Sequence, residues 1–140
     1  MLNKIRNAIA VKLNEVFGDA YLVHTEEIKQ GLKEPCFFIL FLNPSREKKL
    51  GARYLMRYPI DVHYFPVGAN KNEDINNIAD QLYDALEYIT VDEALIRGDK
   101  MRFEISGGVL HFFVEYSMYL VKAEAPEVFM NEIEIGGVLK

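Results

Sequence analysis

The chain has 140 residues, half of them hydrophobic and about a quarter charged, with a formal net charge of −5. That length suits one globular domain, the composition argues against disorder and low complexity, and the net acidity argues against a general nucleic-acid binder. No apolar run reaches the roughly 18 residues of a membrane helix, and the first residues, with charges spread through them, do not read as a secretory signal.

Leu2, Ile5, Ile9, Leu13 and Val16 recur at spacings of three and four, which predicts an amphipathic helix ended by Gly18. Asp19 to Glu26 alternates weakly, as a short strand would, and Glu27 to Glu34 is polar and reads as a loop. Pro35 to Leu42 is apolar on both faces, so it is expected to be a central strand ended by Asn43-Pro44-Ser45. Cys36 is the one cysteine and, between apolar neighbours, reads as a small buried hydrophobe.

Residues 52–65 form the next strand. At about 3.3 Å per residue they would span about 46 Å, far beyond the usual strand, so Pro59 is expected to mark an edge or a bulge. The first half should then protrude as a hairpin arm, about residues 43–58, with the basic loop Arg46 to Lys49 at its tip. Asn70 and Glu73 resemble a capping box for a helix carrying Ile75, Ile78, Leu82, Leu86 and Ile89. Leu95 to Gly98, Met101 to Ser106 and Val109 to Ala123 read as a three-strand meander, with Gly107-Gly108 as a two-residue turn. In the last strand Leu110, Phe112, Val114 and Tyr116 share one face, and His111, Phe113 and Glu115 the other. Residues 126–140, with Val128, Phe129, Met130, Ile133 and Ile135, are too apolar for a solvated terminus. They read as a strand folded back on the chain's own sheet or as a segment covered by another subunit.

The expected class is therefore α+β. One domain spans residues 1–125, with a largely antiparallel (mixed) sheet, two helices packed on one face and the protruding arm; residues 126–140 form a C-terminal extension.

Catalytic signatures do not emerge. His24, His63 and His111 are 39 and 48 residues apart, and neither Cys-x-x-Cys nor His-Glu-x-x-His occurs, so no metal site is expected. Asp61 and His63 share a strand face, but no serine or cysteine is placed beside them, which leaves a hydrogen-bonding pair at a surface or interface. The glycine pairs lack phosphate-loop spacing. Neither an enzyme nor a cofactor is expected. Tyr54, Tyr58 and Tyr64 interleave with Arg53 and Arg57; they could line a single-strand-binding face, or serve as core edges and interface anchors.

Charge is split along the chain. Arg46, Lys48, Lys49, Arg53 and Arg57 make the 45–58 stretch basic, whereas Glu104, Glu115, Glu124, Glu127, Glu132 and Glu134 make the C-terminal third acidic. Such a chain can associate head-to-tail, and such contacts close into a ring when the rotation allows. The expected interface residues are Arg46, Lys48, Lys49, Arg53, Tyr54 and Arg57 with Val128, Phe129, Met130, Ile133 and Ile135.

The aromatic-apolar run, Asn43-Pro44-Ser45, the charged loop, Leu50-Gly51-x-Arg53-Tyr54 and the stretch Tyr58 to Pro66 together resemble tail-terminator (tail-completion) proteins. These belong to phages and phage-tail-like bacteriocins of Gram-positive bacteria, and the match rests on about residues 35–66. The resemblance implies a hexameric ring on the last ring of the tail tube that stops tube polymerisation. Implied partners are the tube protein, the end of the sheath in contractile tails, and neck or connector proteins, with DNA only as passing cargo and no membrane. Assembly would take place in the host bacterial cytoplasm, after which the protein is part of the particle. Two other classes fit the residues: a different head-tail connector, and a small-ligand or nucleic-acid-binding α+β domain.

Overall fold

The computed structural model describes residues 1–25, 34–68 and 71–122. Two helices and seven strands appear in the order α1 (Leu2–Phe17), β1 (Leu22–His24), β2 (Cys36–Phe41), β3 (Ser45–Lys48), β4 (Arg53–Phe65), α2 (Lys71–Ala85), β5 (Tyr88–Val91), β6 (Ala94–Ser106) and β7 (Val109–Val121). The class is α+β, as the patterning predicts. The strands form one mixed sheet in the order β1-β2-β4-β7-β6-β5, with β3 paired to β4. The β1–β2 pair is parallel, and β2–β4, β5–β6 and β6–β7 are antiparallel.

By contact the chain divides into two units. The first comprises residues 1–45 and 56–118; among described residues the second holds 46–55 and 119–122.

The core of the first unit follows directly from alternation. Tyr58, Ile60, Val62 and Tyr64 of β4 and Leu110, Phe112, Val114 and Tyr116 of β7 are buried in one apolar cluster. Phe37 and Ile39 of β2 join them, and both helices supply their stripes: Ile5, Ile9 and Leu13 from α1, and Ile75, Ile78, Ala79 and Leu82 from α2. Each such large side chain contributes about 1.5–3 kcal/mol when fully buried. The ends of the α1 stripe, Leu2 and Val16, stay exposed. Gly18 closes α1 at φ 85°, and its N–H donates to the Asn14 carbonyl. Asp74, in the first turn of α2 where a carboxylate complements the helix dipole, accepts a 2.6 Å hydrogen bond from the Tyr64 hydroxyl. Asn70, expected to cap this helix, lies outside the described residues, as do the extension 126–140 and most of the 27–34 loop.

Three local expectations are corrected. The second helix stops at Ala85, and Ile89 belongs to β5. The Leu86 N–H makes the last helical bond, to the Leu82 carbonyl. The β-branched run Ile89-Thr90-Val91 then pairs with β6 through a turn at Asp92-Glu93, both at positive φ. Ile89 and Val91 are still buried, so alternation in a strand satisfies an apolar spacing that also reads as helical.

The second correction is that residues 94–106 are one strand and not two. The register shifts between Asp99 and Arg102, with Lys100 at φ 53°, which marks a bulge and not a turn. Third, Arg46 to Lys48 is not a loop: it belongs to strand β3, and the turn of the β3–β4 hairpin is formed around Leu50 and Gly51.

Pro59 neither breaks nor visibly bulges β4. Its carbonyl accepts the Leu42 N–H at 2.9 Å, one step past the Phe41–Ile60 end of the β2 ladder. A residue's N–H and C=O point to the same side of a strand. The missing proline donor therefore falls where β2 has ended, at a local edge.

Gly98 is required by close approach. A Cβ there would lie 2.6 Å from the Leu86 carbonyl oxygen and 2.8 Å from Val114 Cγ2. Gly98→Ala is expected to cost about 1–3 kcal/mol by overpacking, read as a lower urea midpoint with an unchanged m-value.

Alkaline pH should also destabilise the fold. Burial raises the Tyr64 hydroxyl, reinforced by its hydrogen bond to Asp74, and burial raises Tyr116. Burial, then the Glu34 carboxylate, raises the Cys36 thiol. Each group ionises more readily in the unfolded chain. Stability is thus fully present below the ordinary values of 9.0 for the thiol and 10.0 for the phenols and is lost as pH rises above them. Melting temperature measured from pH 7 to 11 should fall from about pH 9 upward, less steeply in Tyr116→Phe.

Candidate functional site

Two groups of polar residues stand out from the core: the basic hairpin and a cluster on the second face of the sheet.

The hairpin belongs to the second unit. Its turn is closed by the Lys49 N–H donating to the Arg53 carbonyl at 2.8 Å, with Gly51 at φ 66°. Leu50, at the turn, is 89% exposed. Arg46, Lys48, Lys49 and Arg53 are all exposed. They are arranged by aromatic rings rather than by a pocket. The Arg46 guanidinium lies over Tyr54 at 5.6 Å, the Lys122 ammonium over the same ring at 5.1 Å, and Arg53 over Tyr119 at 5.6 Å. Lys49 also donates to the Glu47 carboxylate at 3.0 Å. The Lys122 N–H donates to the Ala52 carbonyl at 2.9 Å. Flat rings thus hold the cations at the ends of long stems while leaving their heads in water.

Six of the expected interface residues fall within the described residues. Arg46, Lys48, Lys49, Arg53 and Tyr54 lie together on the hairpin. Arg57 belongs to the first unit and is half-buried. Val128, Phe129, Met130, Ile133 and Ile135 lie outside the described residues. Of the acidic residues, Glu115 faces the Lys100 ammonium at 3.5 Å and Glu104 faces Arg102 at 3.6 Å.

The second group was not legible as a cluster in the sequence. Residues of odd number in β4 and β7 point away from the core. Because β4 and β7 are neighbours, His63 and His111 meet there, ring centroids 4.2 Å apart, both against Asp61. Asp61 is 7% exposed. Its Oδ2 lies 2.8 Å from His63 Nε2 and 3.3 Å from His111 Nδ1. The three side chains place their donor atoms within 4.8 Å of one another. Phe38 stands directly across from His63 in β2, and its ring also touches His24 at 5.0 Å. His24 is thus kept one strand away from the cluster. The Asp61–His63 pair was readable from their spacing of two; His111, 48 residues on, carried no signal beyond its face of a strand. Cys36 is buried, as expected.

A family model of phage tail terminator proteins matches residues 4–127, and the chain belongs to that family. It is accordingly a structural component of a phage tail, part of the virion, that interacts with other tail components. No curated protein matches the chain. One solved structure overlays with a TM-score of 0.40 at 10% identity, over 90% of this chain and 99% of its own, a likeness too loose to carry any argument.

The cation–aromatic pairs sit in water, where each contributes about 0.5–1 kcal/mol. Arg46→Ala and Arg53→Ala are each expected to lower the melting temperature by a few degrees at most and to leave the far-ultraviolet circular dichroism unchanged.

Proposed function

We propose that copies of this chain close into a ring, expected to be a hexamer, on the last ring of the tail tube. The ring stops tube polymerisation and joins the tail to the sheath end or the neck. Membership of the terminator family over residues 4–127 carries this reading. It is supported by a hairpin that presents an exposed apolar tip, Leu50, flanked by Lys48, Lys49 and Arg53.

The mechanism is binding alone. One face of the ring accepts the terminal tube ring, and the other offers tube subunits no matching surface. Between subunits the basic hairpin meets acidic surface of the next copy. Exposed charges of this kind set register and encounter rate, and apolar anchors that assembly buries, such as Leu50, hold the contact. The apolar segment 128–135 is a second anchor in this scheme.

Light scattering at several concentrations, alone and with the tail-tube protein encoded near it, tests the ring. A hexamer, alone or appearing with tube protein, is expected; a monomer indifferent to tube protein overturns the reading. Lys48→Glu with Lys49→Glu should weaken assembly about fivefold, at about 1 kcal/mol for the exposed charges, and flatten its salt dependence. Unchanged assembly would remove the hairpin from the interface.

A further inference from the structure

We propose that Asp61, His63 and His111 form a binding site for a divalent transition-metal ion, best suited to Zn2+, on the sheet face opposite the helices. The inference stands on the geometry of the first unit and does not depend on the ring.

The residue types are those that bind zinc: two imidazoles and one carboxylate. Their spacing is suitable. With ligand distances of about 2.0–2.2 Å, two ligand atoms around one tetrahedral ion stand about 3.3–3.5 Å apart. Asp61 Oδ2 already lies 2.8 Å and 3.3 Å from the two imidazole nitrogens, and all three ligand atoms fall within 4.8 Å. Small side-chain rotations bring them onto one ion.

A second, independent observation comes from Asp61 itself. Its Oδ1 is buried and has no hydrogen-bond partner. A buried carboxylate with one oxygen unsatisfied is costly, and a divalent cation at the carboxylate compensates its charge. The backbone supports the arrangement. Asp61 and His63 sit two apart on β4, and His111 on β7 is a cross-strand neighbour, so all three ligands stand on paired strands rather than on loops.

Protonation balances without an added base. With no metal, both imidazoles can donate to Oδ2, His63 through Nε2 and His111 through Nδ1. With the ion bound, the proton of His63 moves to Nδ1 and that of His111 to Nε2, so each presents a lone pair while staying neutral. Three protein ligands leave a fourth position for water. The surroundings are largely aromatic: Phe65 lies 6.4 Å from the His63 ring, and Phe113 stacks on His111 at 6.5 Å. The one nearby cation described there, the Arg102 guanidinium over Phe113, faces Glu104, which stands opposite His111 in β6.

The test uses untagged full-length protein stripped with EDTA and titrated with ZnCl2. Expected results are uptake of one Zn2+ per chain and a rise in melting temperature that EDTA reverses. CoCl2 should give the visible absorption of four-coordinate cobalt. His63→Gln and His111→Gln should each weaken binding at least tenfold, and His24→Gln should leave it unchanged. Asp61→Asn, which keeps the shape, serves if either histidine variant misfolds. The proposal is overturned if wild-type protein takes up no Zn2+ and shows no thermal shift. It is equally overturned if uptake survives undiminished in the correctly folded variants, or is lost in His24→Gln instead.

Discussion

The strict alternation of β4 and β7, laid side by side, is the constraint on which the rest of the first unit depends. Even-numbered residues from Tyr58 to Tyr64 and from Leu110 to Tyr116 form one continuous apolar surface. Both helices can bury their stripes only against that surface. A slip of one residue in β4 would turn Asp61 and His63 into the core, and a slip in β7 would turn in His111 and Glu115; either would expel four buried side chains. The register is therefore held by the full difference between burying aromatic and aliphatic groups and burying charges.

The second face is a consequence of the same alternation. Pairing that puts Val62 and Phe112 inside must put Asp61, His63 and His111 outside, next to one another. Cys36 and Phe38 of β2 are buried although they lie off the core cluster, so this face is far from uniformly wet. A partly desolvated carboxylate between two imidazoles is the chemical result, and it arises from packing on the opposite side of the sheet.

The hairpin works by different physics. Its charged residues are exposed, and its order comes from ring–cation contacts and turn hydrogen bonds rather than from a core. For a structural protein of a phage tail this division is useful. A surface whose side chains are held by contacts of about 0.5–1 kcal/mol each can rearrange on a partner at small cost to the fold. Exposed Leu50 and the cations around it combine apolar area with charge, the two properties that supply affinity and register at protein interfaces.

Much of this was legible in the chain itself. The α+β class, both helices, the burial of Cys36, the Gly107-Gly108 turn and the faces of β7 all follow from apolar spacing and from residues with special backbone freedom. The tail-terminator resemblance in residues 35–66 agrees with the family that the chain belongs to. Other features were decided by tertiary structure. Residues 86–91 have an apolar spacing that suits a helix or a strand, and pairing with β6 selected the strand. Asp99-Lys100, read as a break between two strands, is a bulge that β6 accommodates while staying paired with β7. The basic segment became a strand because β4 offered it a partner. His111 reached Asp61 because β4 and β7 are adjacent. Periodicity records which face of an element a residue occupies, a local property of the backbone; which elements become neighbours depends on how all the apolar faces are buried together, and that is settled only when the chain folds.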